Sequence, residues 1–270
     1  MSAKLVLVGC GNMGYAMLEG WLKSGLIKAA ETVVVEPADA LRERAAKLGV
    51  TALATADEIP TDAAPKLVVF AVKPQVILNV IPAYAKYNAS ATYLSVAAGT
   101  PIAAYEKILG SDTPIVRCMP NTPAAIGKGM MVTVTNGKVS AEAEKFVSDL
   151  LATNGEVASV DDEALMDAVT AVSGSGPAYI FYFIECLTAA AENAGLPLET
   201  AKLLAMQTVF GAASLAAESR TEPGELRRQV TSPNGTTAAA LDVLMGEDRL
   251  KKLVTEAVEA ARLRSIELGK

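Results

Sequence analysis

The sequence predicts an α/β protein: a doubly wound, mainly parallel β-sheet followed by an all-helical domain. Three observations support this fold class. Short β-branched runs alternate with helical stretches through the first 160 residues, the strand signal stops at Asp161, and only helical patterns follow. Alternating strands and helices are typical of a sheet covered by helices on both faces. We therefore predict a first domain over residues 1–160 and a second over residues 161–270.

Seven apolar, β-branched runs predict the strands of the first domain. They cover residues 4–9, 32–37, 66–72, 92–97, 114–120, 130–135 and 156–160. Helical patterns lie between them at residues 13–25, 39–48, 75–87, 101–109 and 140–153. Because most strands are followed by a helix, neighbouring strands are expected to run parallel.

The second domain shows helical patterns punctuated by SGSGP, GLP, TEPG and TSPNG. These patterns cover residues 161–172, 177–194, 198–218, 222–230, 236–245 and 248–268. The segment AYIFYFIECLTAAAENAG is apolar on nearly every side until its last turn, which indicates a helix enclosed by others. A domain of 110 residues can hardly enclose such helices alone. We therefore expect a homo-oligomer, at least a dimer, formed through the C-terminal helices.

The composition argues against nucleic-acid and membrane partners. The chain has 270 residues, a net charge of −6 and no cluster of Lys and Arg that could attract a phosphate backbone. Its mean hydropathy is +0.31, but charged residues or Pro interrupt every apolar run before 18 residues. The N-terminus, MSAKLVLVGCG, enters a strand pattern at once and leaves no room for a signal peptide. These features predict a cytoplasmic protein.

The cysteine and histidine content limits the chemistry. Three widely spaced cysteines, Cys10, Cys118 and Cys186, have no metal-ligand spacing and are expected to be buried thiols. No metal site is predicted. The chain has no histidine, which excludes His-based acid–base catalysis and His-liganded metals. Any reaction must therefore need little proton transfer by side chains.

A glycine motif after the first strand predicts a dinucleotide site. In GCGNMG, Gly9 allows a tight turn, Gly11 lets a pyrophosphate approach the backbone and Gly14 packs helix on strand. Asn12 and Met13 lie at the start of the helix, whose N-terminus favours phosphate. Because the motif follows a strand and begins a helix, we predict a Rossmann-type domain that binds NADPH or NADH.

Glu36 ends the second strand, where an acidic side chain usually accepts the adenosine ribose hydroxyls. Such a carboxylate repels a 2′-phosphate and taken alone favours NADH. A solvated carboxylate at the start of an E–P turn explains the residue nearly as well. Arg42 and Arg44 could still favour NADPH, or could lie on the exposed face of the next helix.

Three further loops follow strands and are expected at the carboxyl edge of the sheet, where ligands of such folds bind. Lys73, in AVKP, could interact with cofactor phosphate or developing charge, or could be a solvated lysine at a helix start. The small or amide-bearing residues of SVAAGTP and RCMPNTP would let a nicotinamide ring approach closely. The cofactor-binding candidates in these loops are Val72, Lys73, Pro74, Ala97, Ala98, Gly99 and Asn121.

Near the C-terminus, VTSPNGTTAAAL places several hydroxyls where a helix is expected to begin. If that helix starts at Thr236 or Thr237, backbone N–H groups and the hydroxyls of Ser232, Thr236 and Thr237 converge at its positive end. This arrangement could bind a carboxylate. The alternative is that Thr236 only caps the helix, an effect worth about 1 kcal/mol.

Six strings in this order and spacing resemble the pyrroline-5-carboxylate reductase family: GCGNMG, FAVKPQ, SVAAGTP, RCMPNTP, DAVTAVSGSGPAY and VTSPNGTTAAALDVL. The last two are the specific ones, and the resemblance covers essentially the whole chain. It implies reduction of (S)-1-pyrroline-5-carboxylate to L-proline with NADPH or NADH. It also implies a Rossmann domain joined to a helical dimerisation domain.

The resemblance also implies roles for residues of the helical half. The loop that holds the substrate carboxylate corresponds to Ser232, Gly235, Thr236 and Thr237, and Thr237 would contact the ring nitrogen as the catalytic candidate. Ser175 lies in the small-residue junction SGSGP. Glu163 matches an acidic position near the site and could favour the cationic imine, although a solvated helix N-terminal carboxylate explains it almost as well. A protonated imine is already electrophilic, so positioning is the main task.

Two departures from the family pattern concern the cofactor. Ala56 stands where relatives commonly carry Asn, and Glu36 stands where many carry a neutral or basic residue. Two rival functions also remain open. One is a β-hydroxyacid dehydrogenase or another imine reductase, although Lys202 lies far from the glycine-rich junction for a catalytic lysine. The other is a protein that senses NAD(P) without catalysis.

Overall fold

A computed structural model describes residues 3–269 of the chain. Within these residues the chain forms two compact units. The first comprises residues 3–175 together with 261–269, and the second comprises residues 176–260. The predicted fold class, a Rossmann-type sheet followed by a helical domain, is confirmed.

The first unit contains an eight-stranded sheet with the order β3-β2-β1-β4-β5-β6-β7-β8. Neighbouring strands are parallel except for β6 and β7, which are antiparallel. The strands are β1 (Leu5–Val8), β2 (Thr32–Val35), β3 (Thr51–Leu53), β4 (Leu67–Phe70), β5 (Thr92–Ser95), β6 (Ile115–Met119), β7 (Gly129–Thr135) and β8 (Gly155–Ser159). Because the chain reverses its direction of strand addition between β3 and β4, the sheet has a switch point between β1 and β4, where such folds bind ligands.

Helices cover both faces of this sheet. They are α1 (Asn12–Ser24), α2 (Asp39–Ala46), α3 (Pro74–Val80), α4 (Ile102–Leu109), α5 (Ala141–Ala152) and α6 (Met166–Val169). Side chains alternate between the faces, so that Val6 and Val8 join one apolar cluster and Leu5 and Leu7 join another. Both clusters are buried, which fixes the register of the strands and therefore the positions of the loops at their ends.

Four elements of the structure differ from those that the sequence predicts. Strand β3 is three residues long and only half-buried, so its sequence carries no clear apolar run. The helix predicted at 75–87 ends at Val80 and continues as a 3₁₀ helix, Ile81–Tyr87, because Pro82 cannot donate to an α-helical hydrogen bond. A short 3₁₀ helix, Thr122–Ile126, begins at a proline-containing turn. The helix predicted at 161–172 is divided into a 3₁₀ turn, α6 and a π turn, Thr170–Gly174.

The second unit is helical. It contains α7 (Gly176–Asn193), α8 (Leu198–Ser219), α9 (Pro223–Gln229), α10 (Thr236–Met245) and the first part of α11 (Arg249–Leu268). Helices α7 and α8 pack against each other, yet α7 buries none of its residues within the single chain. Among the described residues, no helix is long and apolar enough to span a bilayer.

Candidate active site

The glycine-rich loop after β1 has the geometry that the sequence predicts for a dinucleotide site. Gly9 has a φ of 88°, and a Cβ there would lie 2.7 Å from Val72 Cγ1. A Cβ on Gly14 would lie 2.5 Å from the Gly9 carbonyl oxygen. At Gly11, by contrast, a Cβ would meet no atom within 4 Å. The first and third glycines thus close the turn against its neighbours, and the second faces open space.

Gly11 is also the N-cap of α1, and no side chain caps this helix end. The amides of Asn12 and Met13 lie in the first turn, where backbone N–H groups have no acceptor within the helix. They are therefore available to an anion, and the dipole of a 13-residue helix favours one there.

Glu36 is a buried carboxylate that holds two loops together. Only 6% of its surface is exposed. Its Oε2 accepts the N–H of Cys10 at 2.7 Å, and its Oε1 accepts the N–H of Ala38 at 2.9 Å. The structure therefore does not show a solvated carboxylate at an E–P turn. The charge lies directly beside the glycine-rich loop.

Arg44 supports the same loop from α2. Its Nη2 donates to the carbonyl oxygens of Cys10 at 2.9 Å and Gly11 at 3.2 Å, and its guanidinium lies 4.1 Å from the centre of the Tyr15 ring. These two bonds engage carbonyl oxygens of the loop, and Glu36 engages the N–H of Cys10. Arg42 instead donates to the carbonyl oxygens of Glu36 and Pro37 and pairs with Asp39. Neither arginine is simply solvated.

The two cysteines of the first unit, Cys10 and Cys118, are unreactive because of their environment. Burial raises the pKa of the Cys10 thiol to about 11, against a smaller lowering by Arg44. Burial also raises the pKa of Cys118. Both residues are buried, as predicted, whereas Cys186 in α7 is exposed in the single chain, contrary to prediction. The reason is that α7 buries none of its residues within this single chain.

One cavity of about 670 Å³ brings together several predicted site residues of the first unit. Pro74, Ala98, Gly99 and Ser175 all line it, from the loops after β4 and β5 and from the junction after the π turn. Of the other candidates in these loops, Val72 contacts Gly9, Ala97 is buried, and Lys73 is the exposed N-cap of α3. The cavity is therefore the place where these loops meet.

The last turns of α11 form a wall of this cavity that the sequence did not predict. Ser265 and Leu268 line it, and the Leu268 backbone lies 3.6 Å from the Cβ position of Gly99. Ser265 Oγ donates to Asp167 Oδ1 at 2.6 Å, which ties α11 to α6. A serine in a polar helix end gives no sequence signal for such a contact.

The glycine-rich junction is built around the π turn Thr170–Gly174. The N–H of Ser175 donates to the carbonyl oxygen of Thr170 at 2.8 Å, which is the i to i+5 bond of a π turn. A Cβ on Gly174 would lie 2.4 Å from Met119 Cε. Asn121 fixes the junction, since its Nδ2 donates to the carbonyl oxygen of Ser173 at 3.1 Å. Its Oδ1 accepts from the N–H of Met130 at 2.8 Å.

Glu163 has two partners inside the first unit. Its Oε1 accepts the N–H of Ile102 at 2.8 Å and Nη1 of Arg117 at 2.7 Å. Arg117 lies in β6 with only 8% of its side chain exposed. The structure thus shows an ion pair where the sequence suggested a solvated or substrate-facing carboxylate. Arg117 received no role from the sequence, although a charged residue inside the apolar run PIVRCMP is a signal for a buried ion pair.

The candidate carboxylate site of the second unit lies at the start of α10. Gly235 is the N-cap, no side chain caps this end, and the helix begins at Thr236. Thr236 is therefore not the cap residue. A tight turn precedes the helix, with the N–H of Gly235 donating to the carbonyl oxygen of Ser232 at 3.0 Å and Asn234 at a φ of 58°. The first-turn amides are not capped by any side chain, so these amides and the nearby hydroxyls could bind an anion.

Two known families match parts of the chain. The model of a family described as pyrroline-5-carboxylate reductase dimerisation matches residues 163–268. The model of a family described as NADP oxidoreductase, coenzyme F420-dependent, matches residues 4–99. The second match covers the glycine-rich loop and the strands on either side of the switch point.

Individual relatives match over the full length. The chain is 41% identical to a pyrroline-5-carboxylate reductase of Pseudomonas aeruginosa, over 98% of this chain and 97% of that protein. A solved pyrroline-5-carboxylate reductase from Coxiella burnetii superposes with a TM-score of 0.92 at 34% identity, covering 100% of both chains. A solved pyrroline carboxylate reductase of Plasmodium falciparum, with NADP bound, superposes with a TM-score of 0.84 at 31% identity, covering 99% and 98%.

A mainly parallel sheet with an open glycine-rich loop at its switch point, together with the match to an NADP oxidoreductase family, defines the class of the protein, a dinucleotide-dependent oxidoreductase. The helical half and the full-length relatives narrow this class. The chain belongs to the pyrroline-5-carboxylate reductase family.

Proposed function

We propose that this chain reduces the C=N bond of (S)-1-pyrroline-5-carboxylate to give L-proline, the last step of proline biosynthesis, with NADPH or NADH as reductant. The observation that carries the proposal is the family relationship over 98% of the chain. One feature of each unit supports it: the open glycine-rich loop at α1 in the first and the uncapped start of α10 in the second. The cytoplasm is the proposed location.

The residues of the first unit fit a dinucleotide. The amides of Asn12 and Met13 would hold its pyrophosphate beside Gly11, and Glu36 would accept hydrogen bonds from the adenosine ribose. Val72, Lys73 and Pro74, then Ala97, Ala98 and Gly99, and finally Asn121 would border the nicotinamide end. When bound, the cofactor supplies the hydride that reduces the imine. The buried charge of Glu36 beside the loop favours NADH over NADPH.

The residues of the second unit would hold the substrate. The amides at the start of α10, with Ser232, Gly235 and Thr236, bind the carboxylate near the positive end of the helix dipole. Thr237 is half-buried in the first turn of α10, and its hydroxyl orients the ring nitrogen. Ser175 contacts the substrate from the glycine-rich junction. Because the substrate enters as a cationic imine, the chain needs no nucleophile or histidine.

The finer organisation is part of the same proposal. The functional domains are residues 1–160 for the dinucleotide and residues 161–270 for the substrate and for dimer formation. The chain acts as a homo-oligomer, at least a dimer, whose contacts lie on the C-terminal helices and whose active sites include partner helices. The exposed apolar side chains of α7 support this arrangement.

Absorbance of NADH or NADPH at 340 nm, followed with pyrroline-5-carboxylate, tests the proposal. We expect substrate-dependent oxidation of the cofactor and stoichiometric L-proline. Binding of the cofactor without its oxidation would point to an NAD(P)-sensing protein and would refute the proposed reaction. Oxidation with a β-hydroxyacid precursor or with other imines, but not with pyrroline-5-carboxylate, would assign the chain to a neighbouring activity.

A further inference from the structure

The loop between β5 and α4, residues 96–101, is held at both ends by polar side chains, one buried and one half-buried. At its start, Ser95 Oγ contacts the Tyr105 hydroxyl and accepts the N–H of Ala97 at 3.2 Å. At its end, Glu163 accepts the N–H of Ile102 at 2.8 Å. Gly99, at a φ of 73°, lies between these two anchors. The loop therefore has fixed ends and a glycine where it bends.

Arg117 stands behind this arrangement. It lies on β6 directly opposite Ser95 on β5, and its Nη1 donates to the same Glu163 oxygen that anchors Ile102. Tyr105 lies close enough to both charges for each to affect it, and burial raises the pKa of its phenol. The phenol therefore stays neutral, and the charged groups of this cluster are Arg117 and Glu163.

An ion pair removed from water adds little net stability to a fold. Removing two charges from water costs several kcal/mol per ion, and replacing a buried pair by apolar side chains is often neutral or stabilising. The pair does, however, fix geometry, because an arginine and a carboxylate meet only at defined distances and angles. Arg117 is buried, with 8% of its side chain exposed, and Glu163 is half-buried at 29%, so a pair placed at the end of a site loop is better explained by positioning.

We propose that Arg117 and Glu163 are positioning residues: their ion pair holds the loop of residues 96–101 in the geometry that the reaction needs. The inference rests on the proposed function, because it takes Ala97, Ala98 and Gly99 as the border of the nicotinamide. It differs from a direct role of Glu163 toward the imine. In a positioning role Arg117 matters as much as Glu163, and neither has to touch the substrate.

The variants are Arg117→Met, Glu163→Gln and the double variant, with Asp149→Asn as a matched control. Asp149 pairs with Lys145 at 2.7 Å, but both side chains are exposed, so its neutralisation should change nothing. Glu163→Gln keeps an acceptor for Ile102 and removes only the charge. Arg117→Met leaves the Glu163 charge without its partner, whereas the double variant removes both charges.

The first readout needs no cofactor. Hydrogen exchange of the protein alone should be faster in peptides covering residues 96–102 in Arg117→Met, and unchanged in peptides covering α1. The second is steady-state turnover per mole of folded enzyme. We expect Arg117→Met to lower kcat about ten- to hundredfold, with NADH affinity changed less than about threefold. The double variant should keep a much higher kcat than the product of the two single effects predicts, because it leaves no unpaired charge.

Several results would overturn the inference. One is that Arg117→Met has the same kcat as an active wild-type enzyme and the same hydrogen exchange at residues 96–102. A second is an Arg117→Met protein with a lower melting temperature but full turnover, which would show that the ion pair contributes only to the stability of the fold. A third is a raised KM for pyrroline-5-carboxylate in Glu163→Gln alone, which would mean direct contact with substrate. If Arg117→Met does not fold, full activity of Glu163→Gln decides against the proposal. An inactive wild type refutes the proposed function instead.

Discussion

The hydroxyl of Thr237 is the side-chain group that we propose to contact the ring nitrogen of the substrate. It lies in the first turn of α10, which begins after an N-cap glycine and has no capping side chain. Thr237→Ala removes the hydroxyl and keeps the helix, because alanine favours helical backbone. We expect kcat with pyrroline-5-carboxylate to fall about ten- to hundredfold while the affinity for NADH is unchanged.

Thr61→Ala is the matched control for Thr237→Ala. Thr61 is exposed in the turn before β4, so loss of its hydroxyl should leave turnover intact. Stopped-flow rates with saturating NADH separate the chemical step from binding. A Thr237→Ala enzyme with wild-type turnover would remove this hydroxyl from the mechanism and leave the carboxylate site as the only role of the loop.

The carboxylate of Glu36 is expected to control the choice between NADH and NADPH. Its buried charge beside the N–H of Cys10 lies next to the loop that would hold the pyrophosphate. Glu36→Ser removes the repulsion of a 2′-phosphate, and we expect the ratio of kcat/KM for NADPH to that for NADH to rise at least about tenfold. Glu36→Gln, which keeps an acceptor but no charge, should raise the ratio by a similar factor. An unchanged ratio in both variants would exclude charge at this position as the selector.

The elements show where sequence patterns are sufficient and where they fail. Strands such as β1 and β4 are predicted because all four of their residues are buried and β-branched or apolar. The π turn Thr170–Gly174 is not predicted, because its hydrogen bonds depend on close packing of Gly174 on Met119. Periodicity reports local burial, whereas such turns depend on tertiary contacts.

The same distinction applies to the candidate site. Its glycine-rich loop follows from three glycines at fixed spacing, since each has a local backbone reason. The Arg117–Glu163 pair joins residues 46 apart in sequence, and the contact of Ser265 with Asp167 joins residues 98 apart. Arg117 inside an apolar run indicates that it needs a charged partner, but neither spacing identifies the partner, so only the folded chain reveals these pairs.

The attachment of α11 to α6 yields a prediction at element scale. Ser265 is 5% exposed and donates to Asp167 at 2.6 Å, so Ser265→Ala leaves a carboxylate without that donor. We expect the free energy of unfolding of the first unit to fall by about 1–3 kcal/mol. Exchange should also be faster in peptides covering residues 261–269. Ser111→Ala, at an exposed turn, is the control, and equal stability of the two variants would show that the contact contributes nothing.

At the scale of the whole molecule, the two units differ in how well they bury their apolar residues. The sheet of the first unit has a closed core on both faces. The helices of the second unit leave many large apolar side chains exposed. They include Ile180, Phe181, Tyr182, Leu203, Phe210, Leu215, Val243 and Leu253. Apolar surface on this scale marks an interaction surface, and in the proposed homo-oligomer a second copy of the chain would cover it.

The last prediction follows from this surface. Phe181 on α7 is 57% exposed in the single chain, and in a two-fold dimer each substitution acts twice. Complete burial of a phenylalanine contributes about 1.5–3 kcal/mol, and 57% of Phe181 is left to bury. Loss of this contact in both copies should therefore weaken the dimer by about 2–3 kcal/mol, or roughly thirty- to hundredfold in Kd, before the cost of burying two charges. Sedimentation velocity should show monomers at micromolar concentration and wild-type dimers or larger assemblies. Turnover should fall as the dimer dissociates, because partner helices complete the proposed site.

Leu26→Glu, at an apolar residue of the first unit with 46% exposure, is the control. A Phe181→Glu variant that remains assembled would exclude this face of α7 from the interface.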